Sequence, residues 1–246
     1  METNFNILSI WDGETKARTF FQRLFFRRTK EENKPLSTPK IIGKACEGIV
    51  LGGKTIKSVL FSTDMALIEN NDADAVLAVY PFAPSPKIMK ALIDFSDKPV
   101  ICGVGGGLTQ GKVAIGMAIE AEALGAAAII VNQPFKNEHI AAIRKKISIP
   151  IISSVSVADF SFQDRVDAGV DIFHITGGKN TSKILEHIAY AVPGYPVMAT
   201  GGKSMDSIES AIESGADAIV LTPPSSGELF KNIMDQYRKG LNFLRK

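Results

Sequence analysis

The chain has 246 residues, of which 45% are hydrophobic and 22% charged, a composition that excludes a disordered chain and leaves room for one barrel-sized α/β domain or two smaller ones. Its 28 basic side chains are nearly balanced by 26 acidic ones, for a formal net charge of +2, so nucleic acid is not favoured as a partner.

Residues 1–39 differ from the rest. Residues 14–29, ETKARTFFQRLFFRRT, predict a helix with Phe20, Phe21, Leu24 and Phe25 along one side and Arg18, Arg23, Arg27 and Arg28 around it. Such a basic amphipathic helix suits a membrane surface or an acidic partner; the plainer reading is a helix that covers the bottom of the domain or packs in a homodimer. A polar linker with Pro35 and Pro39 follows, and residues 41–57 form a glycine-rich lead-in that the pattern does not place.

From Lys57 onward the text is periodic. One phrase is a glycine or acidic stop followed by a small-residue apolar strand: NDADAVLAVYPF, GAAAIIVNQPF, GVDIFHITGGK and GADAIVLTPPS. It alternates with a second phrase, proline followed by an apolar strand: PVICGVGGG, PIISSVSV and PVMATGG. With KSVLFSTD at Lys57 these make eight strands. Helical patterns lie between them at residues 65–70, 86–95, 112–124, 138–147, 162–168, 182–191, 206–214 and 228–244. Eight alternating units predict an α/β fold, a single (β/α)8 barrel over residues 40–246 built on a repeated two-strand unit. An open doubly wound sheet is the weaker rival, since no glycine fingerprint opens the chain.

In such a barrel the chemistry lies at the C-terminal ends of the strands. Period-two alternation pairs Ser62 with Asp64 on the first strand, puts Asn132 at the end of the fourth, and pairs Ser154 with Ser156 and His174 with Thr176 on the fifth and sixth. Tyr80, Thr200 and Thr222 finish the second, seventh and eighth. A rim of polar strand ends on apolar strands predicts a pocket for a polar ligand. Gly103 to Gly107 imitates a dinucleotide fingerprint with the wrong spacing, and reads better as a loop closely approached by a ligand. Gly177-Gly178-Lys179 and Gly201-Gly202-Lys203 each offer unhindered amides and a cation.

At Gly201-Gly202, the helix to Gly215, GADAIVL and the polar turn to Ser226, the chain resembles the phosphate-binding (β/α)8 barrels, the ribulose-phosphate-binding and related superfamily. That resemblance implies that Gly201, Gly202, Ser225 and Ser226 hold a substrate phosphate; the matching Gly-Gly-Lys turn adds Gly178 as a further candidate. The paired prolines of TPPSSGE depart from the usual small-residue turn.

The expected function is an enzyme acting on a small phosphorylated metabolite, as isomerase, lyase or hydrolase. Asp64 and His174 are the acid/base candidates and Asn132 the orienting group. Each has a structural alternative: Asp64 as a helix cap, His174 as a core histidine bonded to the backbone. A Schiff-base aldolase is weaker, because Lys179 and Lys203 lie beyond the strand ends. No cofactor is required; a divalent metal such as Mg²⁺ stays open, held by Asp64 and substrate phosphate. The alternative class is a regulatory barrel that senses a phosphometabolite without turning it over. Cys46 and Cys102 lack metal spacing and make no disulfide framework, and neither a membrane span nor a signal peptide is apparent, so the expected location is cytoplasmic.

Overall fold

The computed structural model describes residues 36–107, 109–202 and 204–238. The predicted basic helix at residues 14–29 and Lys203 lie outside them.

Eight parallel strands close into a barrel: β3 (Ser58–Phe61), β4 (Ala75–Ala78), β5 (Val100–Gly105), β6 (Ala128–Asn132), β7 (Ile151–Val155), β8 (Ile172–Ile175), β9 (Val197–Thr200) and β10 (Ala218–Leu221), with β10 pairing back onto β3. Helices α2 (Met65–Glu69), α3 (Pro86–Phe95), α4 (Gly111–Ala123), α5 (Asn137–Arg144), α6 (Phe162–Asp167), α7 (Thr181–Ala191), α8 (Met205–Glu213) and α9 (Ser226–Arg238) alternate with them. The sequence pattern therefore identifies the fold correctly, because each strand is an apolar run too short for a helix and each helix shows its own period.

Burial separates into two layers. Val59, Ala75, Leu77, Ile101, Ala128, Ile130, Ile152, Ile172, Met198, Ala218 and Val220 fill the lumen. Their neighbours of opposite parity, such as Leu60, Val76, Ile129, Phe173 and Ala199, pack outward beneath the helices. Apart from the polar positions Ser58, Asn132, Ser153, Ser154, His174 and Thr200, both faces of the strands are apolar, which is why they read as near-continuous hydrophobic runs.

The unplaced lead-in has a clear role. After a short helix α1 (Lys40–Ala45), strands β1 (Ile49–Leu51) and β2 (Lys54–Ile56) form an antiparallel hairpin turned at Gly52-Gly53, where φ is +55° and +75°. Ile49, Leu51 and Ile56 join the lumen cluster, and the Gly48 amide donates to the Asp217 carbonyl just before β10. The hairpin plugs the N-terminal end of the barrel, which among the described residues leaves the opposite mouth as the way in for a ligand.

The repeated acidic phrase also has a physical cause. Asp74, before β4, accepts from the Lys57 and Ser58 amides at the start of β3. Asp171, before β8, accepts from the Ile151 amide of β7 and pairs with Arg144, and Asp217, before β10, accepts from the Val197 amide of β9. Each carboxylate ties down the strand before its own, which gives the repeat its two-strand unit. The remaining copy has Ala127 where the acid would stand. Asp217→Ala should leave the Val197 amide without its partner and lower stability by about 1–3 kcal/mol, read as a denaturant midpoint shift at unchanged slope.

Candidate active site

The strand register places one polar row across the open mouth. Asn132 of β6 lies beside Ser154 of β7, Ser154 beside His174 of β8, and His174 beside Met198 of β9, one pleat below Thr200. The His174 Nε2 and Thr200 hydroxyl are 3.1 Å apart. His174 is 5% exposed, and its Nδ1 has no partner among the described residues. Burial pushes its pKa down to about 4, so the ring is neutral at neutral pH. A base that weak is a poor proton acceptor; what it offers is a hydrogen bond at Nδ1. If the Thr200 hydroxyl donates to Nε2, Nδ1 carries the proton and donates; if Nε2 donates, Nδ1 accepts. In both tautomers a buried polar atom is left unpaired, a state that a ligand atom relieves.

Asp64 does not join this row. Val59 and Phe61 set the lumen parity of β3, so Ser62 and Asp64 fall on the opposite one, and the chain leaves the strand after Phe61 toward α2. The Asp64 carboxylate caps α2, accepting from the Ala66 and Leu67 amides at 2.9 and 3.4 Å, and its other oxygen accepts from the Ser226 hydroxyl. The capping role weighed for it is the one its contacts support. Tyr80 is likewise off the lumen parity set by Leu77 and Val79, and its phenol oxygen accepts from the Ser85 amide.

The glycine and serine turns follow three neighbouring strands, β8, β9 and β10, which brings Gly178, Gly201, Gly202, Ser225 and Ser226 to one sector of the mouth. Gly202 has φ +70°, and a Cβ there would lie 2.4 Å from the Ser207 Oγ, so the turn needs glycine to close onto α8. Ser207 donates to the Gly201 carbonyl at 2.6 Å and, with Ser204, forms the capping box of α8. The second turn is less open. Both the amide and the hydroxyl of Ser225 donate to Glu228 at 2.8 Å, while the Glu228 amide donates back to the Ser225 hydroxyl. A carboxylate of the chain thus sits where the resemblance puts phosphate.

A cavity of about 180 Å³ opens in another sector, between the turn after β4 and the glycine loop after β5, lined by Tyr80, Phe82, Ala83, Gly105, Gly107 and Asn132 among others. A Cβ on Gly106 would lie 2.7 Å from that of Asn132, so only a glycine lets the loop lie on the row's first residue. Asn132 in turn is held from behind. The buried Arg165 of α6 donates to the Gln133 and Phe135 carbonyls, and the Gln133 side chain accepts from the Ser156 amide and hydroxyl. Arg165 was not visible as a site residue, since in sequence it is one charge among several on a short helix.

No protein-family model matches the chain, and no curated protein matches it. Many solved structures share its barrel. A phosphonopyruvate hydrolase complexed with oxalate and Mg²⁺ superposes with a TM-score of 0.59 at 15% identity, over 74% of this chain and 82% of that one. A phosphoenolpyruvate phosphomutase from Streptomyces platensis subsp. rosaceus gives 0.56 at 14%, over 76% and 82%. A thiamine phosphate pyrophosphorylase from Pyrococcus furiosus gives 0.51 at 17%, over 67% and 84%. At these identities the likeness is one of fold: the chain is a (β/α)8 barrel, as its resemblance to the phosphate-binding barrels implies.

Proposed function

We propose that the chain is an enzyme that binds a small phosphorylated metabolite across the open mouth and carries out isomerase- or lyase-type chemistry there. The observation that carries this reading is the neutral, buried His174 with an unpartnered Nδ1 in line with Asn132 and Ser154. A neutral imidazole and a carboxamide are suited to polarise a carbonyl or to hold an enol or alkoxide oxygen without carrying net charge. Gly178, Gly201 and Gly202 are proposed to supply amides to the phosphate, with Ser225 and Ser226 reached by displacing Glu228 and Asp64. The names of three solved barrels, a hydrolase, a phosphomutase and a pyrophosphorylase, agree with an enzyme of phosphorus-bearing metabolites.

The row contributes no carboxylate, and Asp64 is engaged by α2 and Ser226. Nor do the described residues contain a cluster of three His, Cys, Asp or Glu side chains. Mg²⁺ needs few protein ligands where a phosphate supplies others, so Asp64 with the ligand phosphate is the pair that would hold one, and no step is assigned to it. The same scarcity of titrating groups favours the second reading, a phosphometabolite sensor. Among the described residues no helix is long and apolar enough to cross a membrane. The buried free thiols of Cys46 and Cys102 fit a proposed cytoplasmic setting.

The test is thermal stability with inorganic phosphate and phosphorylated sugars at matched ionic strength. At about 100 times its dissociation constant a ligand should stabilise the fold by roughly 2.7 kcal/mol. Gly178→Asp is the control, because φ is +58°, which aspartate tolerates, and a Cβ there meets nothing within 4 Å. It should fold normally and lose the shift. Absence of any shift in the unmodified protein would remove the phosphate site, and ligand binding without turnover would favour the sensor.

A further inference from the structure

The cavity beside Asn132 is not accounted for by phosphate binding. Among its lining residues, Val79, Tyr80, Phe82, Ala83, Ile130 and Asn132 supply the side chains that shape it, glycines and prolines supply much of the rest, and none is charged. Its about 180 Å³ is below the size of a whole ligand site but suits a group of about six heavy atoms, since a cavity of about 150 Å³ accommodates a benzene-sized ring. Phe82, on the lip, is 78% exposed, an apolar ring with nothing over it among the described residues.

Its position in the barrel matters as much as its lining. In the closed order β10-β3-β4-β5-β6-β7-β8-β9, strand β5 stands four places from β9, directly across the mouth. The glycine loop at Gly105–Gly107 therefore faces the Gly201-Gly202 turn, and His174 and Ser154 occupy the strands between them. A ligand with its phosphate at the Gly201-Gly202 turn reaches the cavity by passing the polar row.

We propose that this cavity is the subsite for the non-phosphate end of the ligand, and that it takes an uncharged ring or short branched carbon body with one hydrogen-bonding group for Asn132. The assignment rests on the phosphate reading for the ligand's other end. It also separates the ligand class from phosphorylated carboxylic acids, because an ionised carboxylate entering here would lose water and meet no cation.

The experiment measures the affinity of the full chain for inorganic phosphate, benzyl phosphate, glycerol 3-phosphate, 3-phosphoglycerate and benzyl alcohol. Two variants narrow the cavity from different walls. Gly107→Leu adds a side chain where a Cβ meets nothing within 4 Å, and Ala83→Leu enlarges an exposed residue of the facing turn. Benzyl phosphate is expected to bind at least tenfold tighter than inorganic phosphate, and glycerol 3-phosphate tighter than 3-phosphoglycerate. Both variants should abolish the benzyl gain and leave inorganic phosphate binding unchanged. If phosphate binds but the benzyl group adds nothing, or if 3-phosphoglycerate binds as well as its alcohol, the subsite is wrong and the phosphate reading stands. If benzyl alcohol binds in a manner sensitive to Gly107→Leu while phosphate does not bind, the phosphate reading fails and the cavity stands. Benzyl gain that survives both variants would place the ring elsewhere and overturn the assignment.

Discussion

Lowering the pH from 6.5 to 4 should remove about 3 kcal/mol of folding stability through His174 alone. The sign follows from which state holds the proton. In the unfolded chain the imidazole titrates near its ordinary value of 6.5; in the barrel, burial holds it down to about 4. Between those values the unfolded state binds a proton that the folded state does not, so stability declines as pH falls through the window and is fully present above it. By pH 5 roughly 2 kcal/mol should already be lost. Other groups titrate in the same range, so the measurement is a difference. Urea unfolding of the unmodified chain and of His174→Gln, at pH 7 and pH 5, isolates the contribution, because glutamine keeps a polar arm toward Thr200 and does not titrate. The unmodified chain should lose stability more steeply than the variant. Equal losses in the two proteins would mean that His174 is solvated or charged in the fold, and would remove the basis for reading its Nδ1 as a ligand contact.

That neutral ring shows how far sequence reasoning reaches. Asn132, Ser154, His174 and Thr200 were legible as one rim because each still belongs to a regular strand, where a period of two fixes the face. Ser62, Asp64 and Tyr80 do not belong to that rim, because the lumen parity is set by Val59 and Phe61 on β3 and by Leu77 and Val79 on β4, and in strands apolar on both faces the letters alone do not mark which parity is inward. His174 was legible as a buried polar group, but not as a neutral one, since its titration depends on how completely the surrounding strands exclude water. The strand and helix alternation was readable throughout because both faces of the strands are covered. The β1–β2 hairpin was not, since two three-residue strands around Gly52-Gly53 leave too short a text for any period.

The serine turn teaches a different lesson. Ser225 and Ser226 have the donors a phosphate needs, and the resemblance to phosphate-binding barrels points to them. The same letters, Ser225 followed three residues later by Glu228, also spell a helix capping box, and in the structure that local interaction is made. Both roles use the same amide and hydroxyl, so sequence alone cannot rank them, and any phosphate bound there competes with a carboxylate already in place.

Arg165→Met should cost about 1–3 kcal/mol of stability and, more tellingly, weaken recognition at the cavity end of the ligand. Arg165 is 2% exposed, and its guanidinium donates to the Gln133 and Phe135 carbonyls, with Phe160 beneath it at 5.2 Å from ring centroid to Cζ. Two opposing effects set the net value. Charge-assisted hydrogen bonds to the two carbonyls are each worth about 1.5–3 kcal/mol, and methionine leaves both acceptors without them. Against that, burial of the cation is itself unfavourable, as the fall of its pKa to about 10 shows, and methionine relieves it. Loss of the bonds should win, because the carbonyls belong to a tight turn in which the Phe135 amide also donates to the Asn132 carbonyl at 2.9 Å. Loosening that turn lets Asn132 leave the row. Arg165 is therefore a positioning residue, and its test needs a readout that general destabilisation does not move. That readout is the ratio of benzyl phosphate to inorganic phosphate affinity, measured well below the melting temperature of each variant. The ratio should fall in Arg165→Met and recover in part in Arg165→Lys, whose single ammonium can reach one carbonyl but not hold both as a fork. An unchanged ratio in a destabilised Arg165→Met would make the arginine a support of the fold and nothing more.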